Sequence, residues 1–261
     1  MEFPKITIIT VSYQQGKFIE EAIQSVVDQQ YPNLEHLVID AGSTDQTVAI
    51  LKKYSHLLWI SEPDRGQSDA FNKGIKRATG EVIGFLNSDD KLMPGALATV
   101  ARELSDHPEK QWLTGSYQVI TADGQPRDQM IVWYKSWLRW WMQRLPSWGL
   151  SILKINNPII HPSTFIRRSA LQTIGHFDEQ LHYCMDYDIW LRLWTKFGSP
   201  IFVNQSLSQF RIHNESKGGA QFTKQFAEQW QVAQKYHISA WEKIGHQLIT
   251  QLTLAVYRLT R

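Results

Sequence analysis

The sequence predicts an α/β fold, a mostly parallel sheet flanked by helices with a C-terminal helical extension, and three observations lead there. Apolar runs rich in isoleucine, valine and threonine alternate with amphipathic stretches at helical spacing from Lys5 to Ser105, beginning in the β-α-β-α-β order that builds parallel sheets. These runs end in small polar or acidic residues, and in such sheets ligands bind beyond the carboxyl ends of the strands. Residues 218–261 carry helical periodicity alone.

Lys5–Tyr13 (KITIITVSY) reads as a first buried strand, broken by Gln14, Gln15 and Gly16. In the helix Lys17–Gln30, residues Phe18, Ile19, Ala22, Ile23, Val26 and Val27 share a face, and Tyr31-Pro32 stops it. Glu35–Asp40 is the second strand, Ser43 or Thr44 caps a helix from Gln46 to Tyr54, and Leu57–Ser61 is the third strand. Pro63–Thr79 opens as a turn and becomes a helix carrying Ala70, Phe71, Ile75 and Ala78. The buried run Val82–Leu86 ends abruptly in Asn87, Ser88, Asp89 and Asp90. Met93–Ser105 is a helix begun by Pro94, and Trp112–Ile120 is the next strand.

The composition then shifts. Met130–Leu153 contains Trp133, Trp137, Trp140, Trp141 and Trp148 with Lys135, Arg139 and Arg144 between them. Tryptophans at helical spacing ordinarily pack inward, while the same mixture suits a sugar-binding platform or a membrane surface. Asn157–Arg168 reads as a turn and strand leading into a helix, Leu181–Trp194 holds a helix with the stripe Ile189, Trp190, Leu193 and Trp194, and Ser208–Ile212 ends the main fold. Gln221–His237 and Ala240–Arg261 are amphipathic helices. The last lies on a membrane, pairs with a second copy as a homodimer, or packs back on the domain, which is the default.

With 261 residues the chain accommodates one large domain plus a helical appendage, and 43% hydrophobic with 20% charged residues is a globular composition. A net charge of +2 without a basic run argues against nucleic acid as a partner. The single cysteine, Cys184, excludes an internal disulfide and a multi-cysteine metal site and fits a reducing compartment. Met1–Ser12 lacks the pattern of a signal peptide and no stretch reaches the length of a membrane span, so the expected location is cytoplasmic.

Thr10–Tyr13, Asp40–Thr44, Glu62–Gly66 and Asn87–Asp90 collect into one crevice if the sheet is parallel. Ser12, Asp40 and Gly42 suit the edge of a base, since a carboxylate accepts from a ring N–H and glycine admits a ligand to the backbone; Asp40-Ala41-Gly42 also reads as a plain turn. Asp69, Asn72 and Lys73 lie where a helix start and a lysine meet an anion, or form a solvated, capped face. Asp89 and Asp90, adjacent at a core strand's end, repel each other and call for a cation, either a basic side chain or a hard metal, or else they begin a turn. GxGxxG and GxxxxGK[ST] are both absent, which argues against a dinucleotide dehydrogenase and a P-loop.

ITVSYQQGKFIEEAIQSVVDQQYPNLEHLVIDAGSTDQT, RGQSDAFNKGI and GEVIGFLNSDD, in that order and spacing, resemble the nucleotide-sugar half of family 2 glycosyltransferases, whose fold is GT-A, a Rossmann-like sheet. The resemblance implies an inverting enzyme that moves a sugar from a nucleoside diphosphate, in the first instance UDP, to a glycan or lipid-linked acceptor. It implies that Thr10, Ser12, Tyr13 and Asp40 hold the nucleoside. It also implies that the strand-end acids bind Mn2+ or Mg2+ on the donor diphosphate. The usual DxD triplet is here Asn87-Ser88-Asp89, so an amide replaces its first acid and Asp89 becomes the leading metal ligand, with Asp90 beside it.

In the second half, GHFDEQLHYCMDYDIWLRL is similar to the family segment that carries the catalytic base, and Asp186 stands in that acid's place, with Met185 where glutamate is frequent. Asp186 alternatively caps its helix, and Asp188 is the rival for the base, an acceptor-side residue, or an i,i+4 partner of Arg192. His161 in HPST resembles an acceptor-side position, and Trp190 joins it there. FRIHNESK resembles the late motif whose histidine completes the metal site, which makes His213 the second ligand and sets Arg211 and Lys217 near the phosphates. The expected organisation is 1–217 as the glycosyltransferase domain, divided into 1–105 and 106–217 with the insert 130–153, followed by 218–261. The rival readings are a nucleotidyltransferase on a similar sheet and a catalytically weak glycan-binding homologue.

Overall fold

The computed structural model describes residues 3–127, 130–213 and 222–259; Lys217 lies outside the described residues. The strands are Ile6–Ser12 (β1), Leu34–Asp40 (β2), Leu58–Ser61 (β3), Val82–Asn87 (β4), Lys91–Leu92 (β5), Trp112–Ile120 (β6), Thr164–Arg167 (β7) and Ile201–Arg211 (β8). They form a single eight-stranded sheet in the order β3-β2-β1-β4-β7-β6-β8-β5. All seven residues of β1 are buried, as expected of a central parallel strand covered on both faces.

The register positions the site. β1 pairs in parallel with β2 and β4, and β2 with β3, setting Ser12 opposite Asp40, Asp40 opposite Ser61, and Val11 opposite Asn87. Four strands therefore deliver their carboxyl ends to one edge of the sheet. β7 runs antiparallel to both β4 and β6, and the two-residue β5 pairs antiparallel with β8, holding the Asn87–Asp90 turn between two strands.

Helices cover both faces. Ile19–Val27 (α1), Thr47–Leu51 (α2), Gln67–Arg77 (α3) and Ala96–Asp106 (α4) link the first strands. The insert resolves into Met130–Arg144 (α5) and Pro146–Ile155 (α6), and Arg168–Ile174 (α7) and Met185–Phe197 (α8) follow. α8 enters the core through Tyr187, Ile189, Trp190, Leu191 and Leu193, and Trp190 stacks on Trp112 of β6 with ring centres 6.0 Å apart.

β8 is 11 residues long, and its pairing with β6 carries it through the polar stretch Asn204-Gln205-Ser206 with a register shift. Two expectations are corrected. α4 begins only at Ala96, because Gly95 is left-handed at φ +74° and holds the chain outside the helix. Four of the five tryptophans of the insert do not pack inward: Trp133, Trp137, Trp140 and Trp148 are exposed and only Trp141 is partly buried, since Lys135, Leu138, Arg139 and Met142 occupy the other side of α5.

The C-terminal helices Phe222–Gln234 and Ala240–Leu259 pack back on the domain. Val232 and Ala233 join the core that α8 occupies, and Glu242 and His246 reach Lys154 of α6. Among the described residues no helix is long and apolar enough to cross a membrane.

Candidate active site

Along the sheet edge, Asp40 is fully buried and accepts from Ser43 N (2.8 Å), Ser43 Oγ (2.5 Å) and Ser61 Oγ (2.6 Å). It thereby ties the turn after β2, where Gly42 sits at φ +76°, to the end of β3. Ser12, its register partner, is buried with an Oγ that has no hydrogen-bond partner, a polar atom that a ligand at this edge would satisfy. Tyr13, the next residue, is exposed, whereas Thr10 is fully buried and pairs with His36 Nε2 at 2.9 Å. Burial holds His36 neutral, its pKa pushed down to about 3. Thr10 therefore lies beneath the crevice and does not line it.

The strand-end acids separate into two roles. Asp89 Oδ2 lies 3.0 Å from His213 Nε2, and the His213 ring packs tilted on Phe18 with ring centres 4.8 Å apart. Asp90 is buried and accepts from Arg211 N (2.9 Å) and Asn87 Nδ2 (3.1 Å). Burial, and then the charge of Asp89, push its carboxyl well above the ordinary range. Asn87 in turn accepts from Gln67 Nε2 at 2.7 Å, so the amide in the triplet's first position belongs to a chain of hydrogen bonds. Ser88 is buried between these two residues and Asp89.

Arg211 does not face the phosphate side expected of it. It is 1% exposed, and it donates Nε–H to Asp89 O (2.8 Å), Nη1–H to Ala122 O (2.8 Å) and Nη2–H to Glu21 (2.8 Å). Its guanidinium is consumed in fixing the Asp89 backbone, because β8 delivers it into the core beside the β4–β5 turn. The trio on α3 is likewise used internally. Asn72 exchanges hydrogen bonds with Phe177 (2.9 and 3.0 Å), Lys73 bonds Pro63 O (2.9 Å) and Glu62 (3.0 Å), and Asp69 accepts from Arg65.

Asp186 lies in the first turn of α8, partly buried, and Tyr187 N–H donates to its Oδ1 at 2.7 Å. Burial raises its pKa to about 6, although the helix amide and the charge of Lys135 on α5 pull the other way. Lys135 was invisible as a site residue in the sequence, since only the fold of the insert brings it near Asp186. Glu228, from the helix Phe222–Gln234, was equally hidden. Its carboxylate accepts from the backbone N–H groups of His182, Tyr183 and Cys184 at 2.7–3.1 Å, fixing the segment that enters α8.

The first turn of α3 touches both groups of residues. Gln67 bonds Asn87 at the sheet edge, while Ser68 Oγ donates to Leu181 O (3.2 Å) in the segment leading to Asp186. The remaining acceptor-side expectations are corrected. Asp188 is buried, paired with Arg192 (2.7 Å) and bonded by Tyr236 Oη (2.8 Å), the helix-pair alternative. Trp190 is wholly buried in the core, and His161 sits among Phe71, Phe85, Phe177 and Trp190, with burial pushing its pKa down to about 3. Their apolar surroundings make both of them supports of the sheet.

The sheet edge that carries these acids and the helix that carries Asp186 have the architecture of the GT-A fold. The chain belongs to glycosyl transferase family 2, whose model matches residues 7–175. It is 34% identical to TuaG of Bacillus subtilis, a glycosyltransferase named for teichuronic acid biosynthesis, over 82% of this chain and 81% of that one. It is 28% identical to an uncharacterized glycosyltransferase of Rickettsia typhi over 81% of this chain, and spans about 65% of that protein's length. The fold is similar to that of S. aureus TarS 1–349 in complex with UDP-GlcNAc (TM-score 0.68, 18% identity, 93% of this chain and 70% of that one). It is also similar to that of the mannosyltransferase PcManGT from Pyrobaculum calidifontis in complex with GDP-Man and Mn2+ (TM-score 0.66, 17% identity, 99% and 83%).

Among the described residues no three Asp, Glu, His or Cys side chains gather as a metal cluster. The pair Asp89 and His213 nevertheless fits a divalent ion of the kind that takes one or two protein donors and completes its shell with phosphate oxygens and water.

Proposed function

We propose that this chain is an inverting glycosyltransferase that moves a sugar from UDP to a hydroxyl of a glycan or lipid-linked acceptor in the synthesis of a cell-envelope polysaccharide. The observation that carries the reading is Asp186, a carboxylate on the first turn of a core helix with its pKa raised to about 6. At neutral pH such a group is mostly ionised, yet basic enough to take a proton in the transition state.

Asp186 accepts the proton of the acceptor hydroxyl as that oxygen attacks the anomeric carbon from the face opposite the diphosphate. The new glycosidic bond forms while the bond to the diphosphate oxygen breaks, and a single displacement inverts the centre. Ser12 and the turn that Asp40 holds receive the nucleoside, with the unpaired Ser12 Oγ as the available polar atom. Asp89 and His213 would hold Mn2+ or Mg2+, which supplies positive charge to the departing diphosphate. UDP is favoured as the donor nucleotide by the family resemblance and by the UDP-GlcNAc complex of TarS, and the envelope acceptor by the naming of TuaG.

Asp186→Asn tests the assignment. The variant is expected to bind UDP as the parent does in calorimetry while losing transfer by at least about a hundredfold; turnover near that of the parent would remove Asp186 from the chemistry.

A further inference from the structure

We propose that the outer faces of α5, α6 and the helix Ala240–Leu259 form one docking surface for an anionic lipid membrane. On α5, Trp133, Trp137 and Trp140 recur at helical spacing on the side away from the core, with Trp133 75% exposed. Trp148 of α6 meets Trp241 of the last helix with ring centres 5.6 Å apart, which joins the two elements into a continuous aromatic surface. Ile244, Leu248 and Leu252 extend it along that helix, each more than half exposed. Isolated exposed apolar residues are ordinary, but nine large ones on three helices that pack on one another and on the α5–α6 junction (Leu145) are more than scattered exposure supplies.

Charge identifies the occupant. Residues 130–155 contain no aspartate or glutamate, and of their four basic residues Lys135, Arg139 and Lys154 turn into the protein, which leaves Arg144 on the outer face. Arg144 is exposed, with its guanidinium 5.4 Å from the centre of the Trp140 ring. The acid of the last helix, Glu242, is buried against Lys154 and Ser239, while its neighbour Lys243 points to solvent. Indoles beside an exposed arginine, with no exposed acid among the described residues of these helices, match the headgroup level of an anionic bilayer. α5 also turns Lys135 toward Asp186, so the helix that rests on headgroups is the one beside the base. That link to a lipid-linked acceptor rests on the proposed function; the docking surface does not.

The test uses the full chain with vesicles of phosphatidylcholine, with and without phosphatidylglycerol. Expected are cosedimentation with the phosphatidylglycerol vesicles, weakened by salt, and quenching of the tryptophan emission by brominated lipid. The triple variant Trp133→Ser/Trp137→Ser/Trp140→Ser should lose partitioning and quenching, and the variant Arg144→Ala should lose roughly fivefold in partitioning, at about 1 kcal/mol per basic residue. Failure of the parent to cosediment, unquenched emission in the presence of brominated lipid, or a dimer that shields these tryptophans from aqueous quencher would overturn the proposal. The quenching arm needs no variant, so misfolding of either variant leaves it decisive. UDP calorimetry on the same samples separates the two ideas: UDP binding without vesicle binding sinks the surface alone, and vesicle binding without UDP binding sinks the donor reading alone.

Discussion

At the carboxyl ends of β1, β2 and β4 most polar groups are already bonded within the protein, whereas among the described residues Asp186 on α8 accepts from backbone amides alone. The first region is held by saturation: Asp90, Asn87 and Arg211 hold one another, and Asp40 ties Ser43 to Ser61. The second is a carboxylate whose raised pKa comes from burial and is moderated by a backbone amide and a lysine from another helix, the state that the proposed base requires. A donor-binding edge gains from fixed geometry, and a proton acceptor gains from a pKa near the working pH.

The sharpest way to break the saturated region is Arg211→Met, which removes every donor of a buried guanidinium and leaves the Asp89 and Ala122 carbonyls unpaired. A loss of about 3 kcal/mol is expected, the scale for breaking a buried charged network, read by urea denaturation. A variant as stable as its parent would show that water replaces those donors. Asp89→Ala addresses the same edge without touching the core. UDP affinity in Mn2+ is expected to fall by roughly tenfold, the scale of losing one ion-phosphate contact, and to be unchanged without the ion. Equal parental affinity with and without Mn2+ would remove the ion from donor binding.

On the reactive side, Lys135→Met leaves Asp186 without its nearby cation, so its pKa rises further. The acid limb of the pH dependence of kcat/KM should then move to higher pH by roughly one unit. A merely structural role for Lys135 predicts lower stability with an unmoved profile. The same raised pKa has a stability consequence. The folded state binds the Asp186 proton more tightly than the unfolded chain, so stability is lost as pH rises from the usual carboxylate range through about 6. Asp186→Asn escapes that loss, and its melting temperature relative to the parent should climb across this window. The smallest effect is expected of Glu228→Ala, about 1 kcal/mol by chemical denaturation, since water reaches part of the segment its carboxylate holds.

Much of the donor edge was legible in the chain because it is local. The strands end where their polar residues begin, and parallel register alone brings Ser12, Asp40 and Asn87 side by side. The family resemblance added Asp89 with His213, 124 residues apart, and the fold puts them 3.0 Å from each other. Less legible was what each polar residue contacts. Arg211, Asn72, Asp188 and Trp190 have side chains suited to ligands, but burial commits all four to the protein itself. Nothing in Lys135 or Glu228 marks them locally, since each acts across a helix packing that sequence spacing does not encode.

By itself, then, the amino-acid order determined the elements and their mostly parallel arrangement, because apolar periodicity and strand-end polarity are properties of neighbours along the chain, and its motifs carried the family resemblance. Only the tertiary structure decided which carboxylate is left basic, which cations are spent, and that four of the insert's five tryptophans face outward. Desolvation, pairing and exposure depend on what lies nearby in space, and for Asp186 those neighbours come from helices before and after it in the chain.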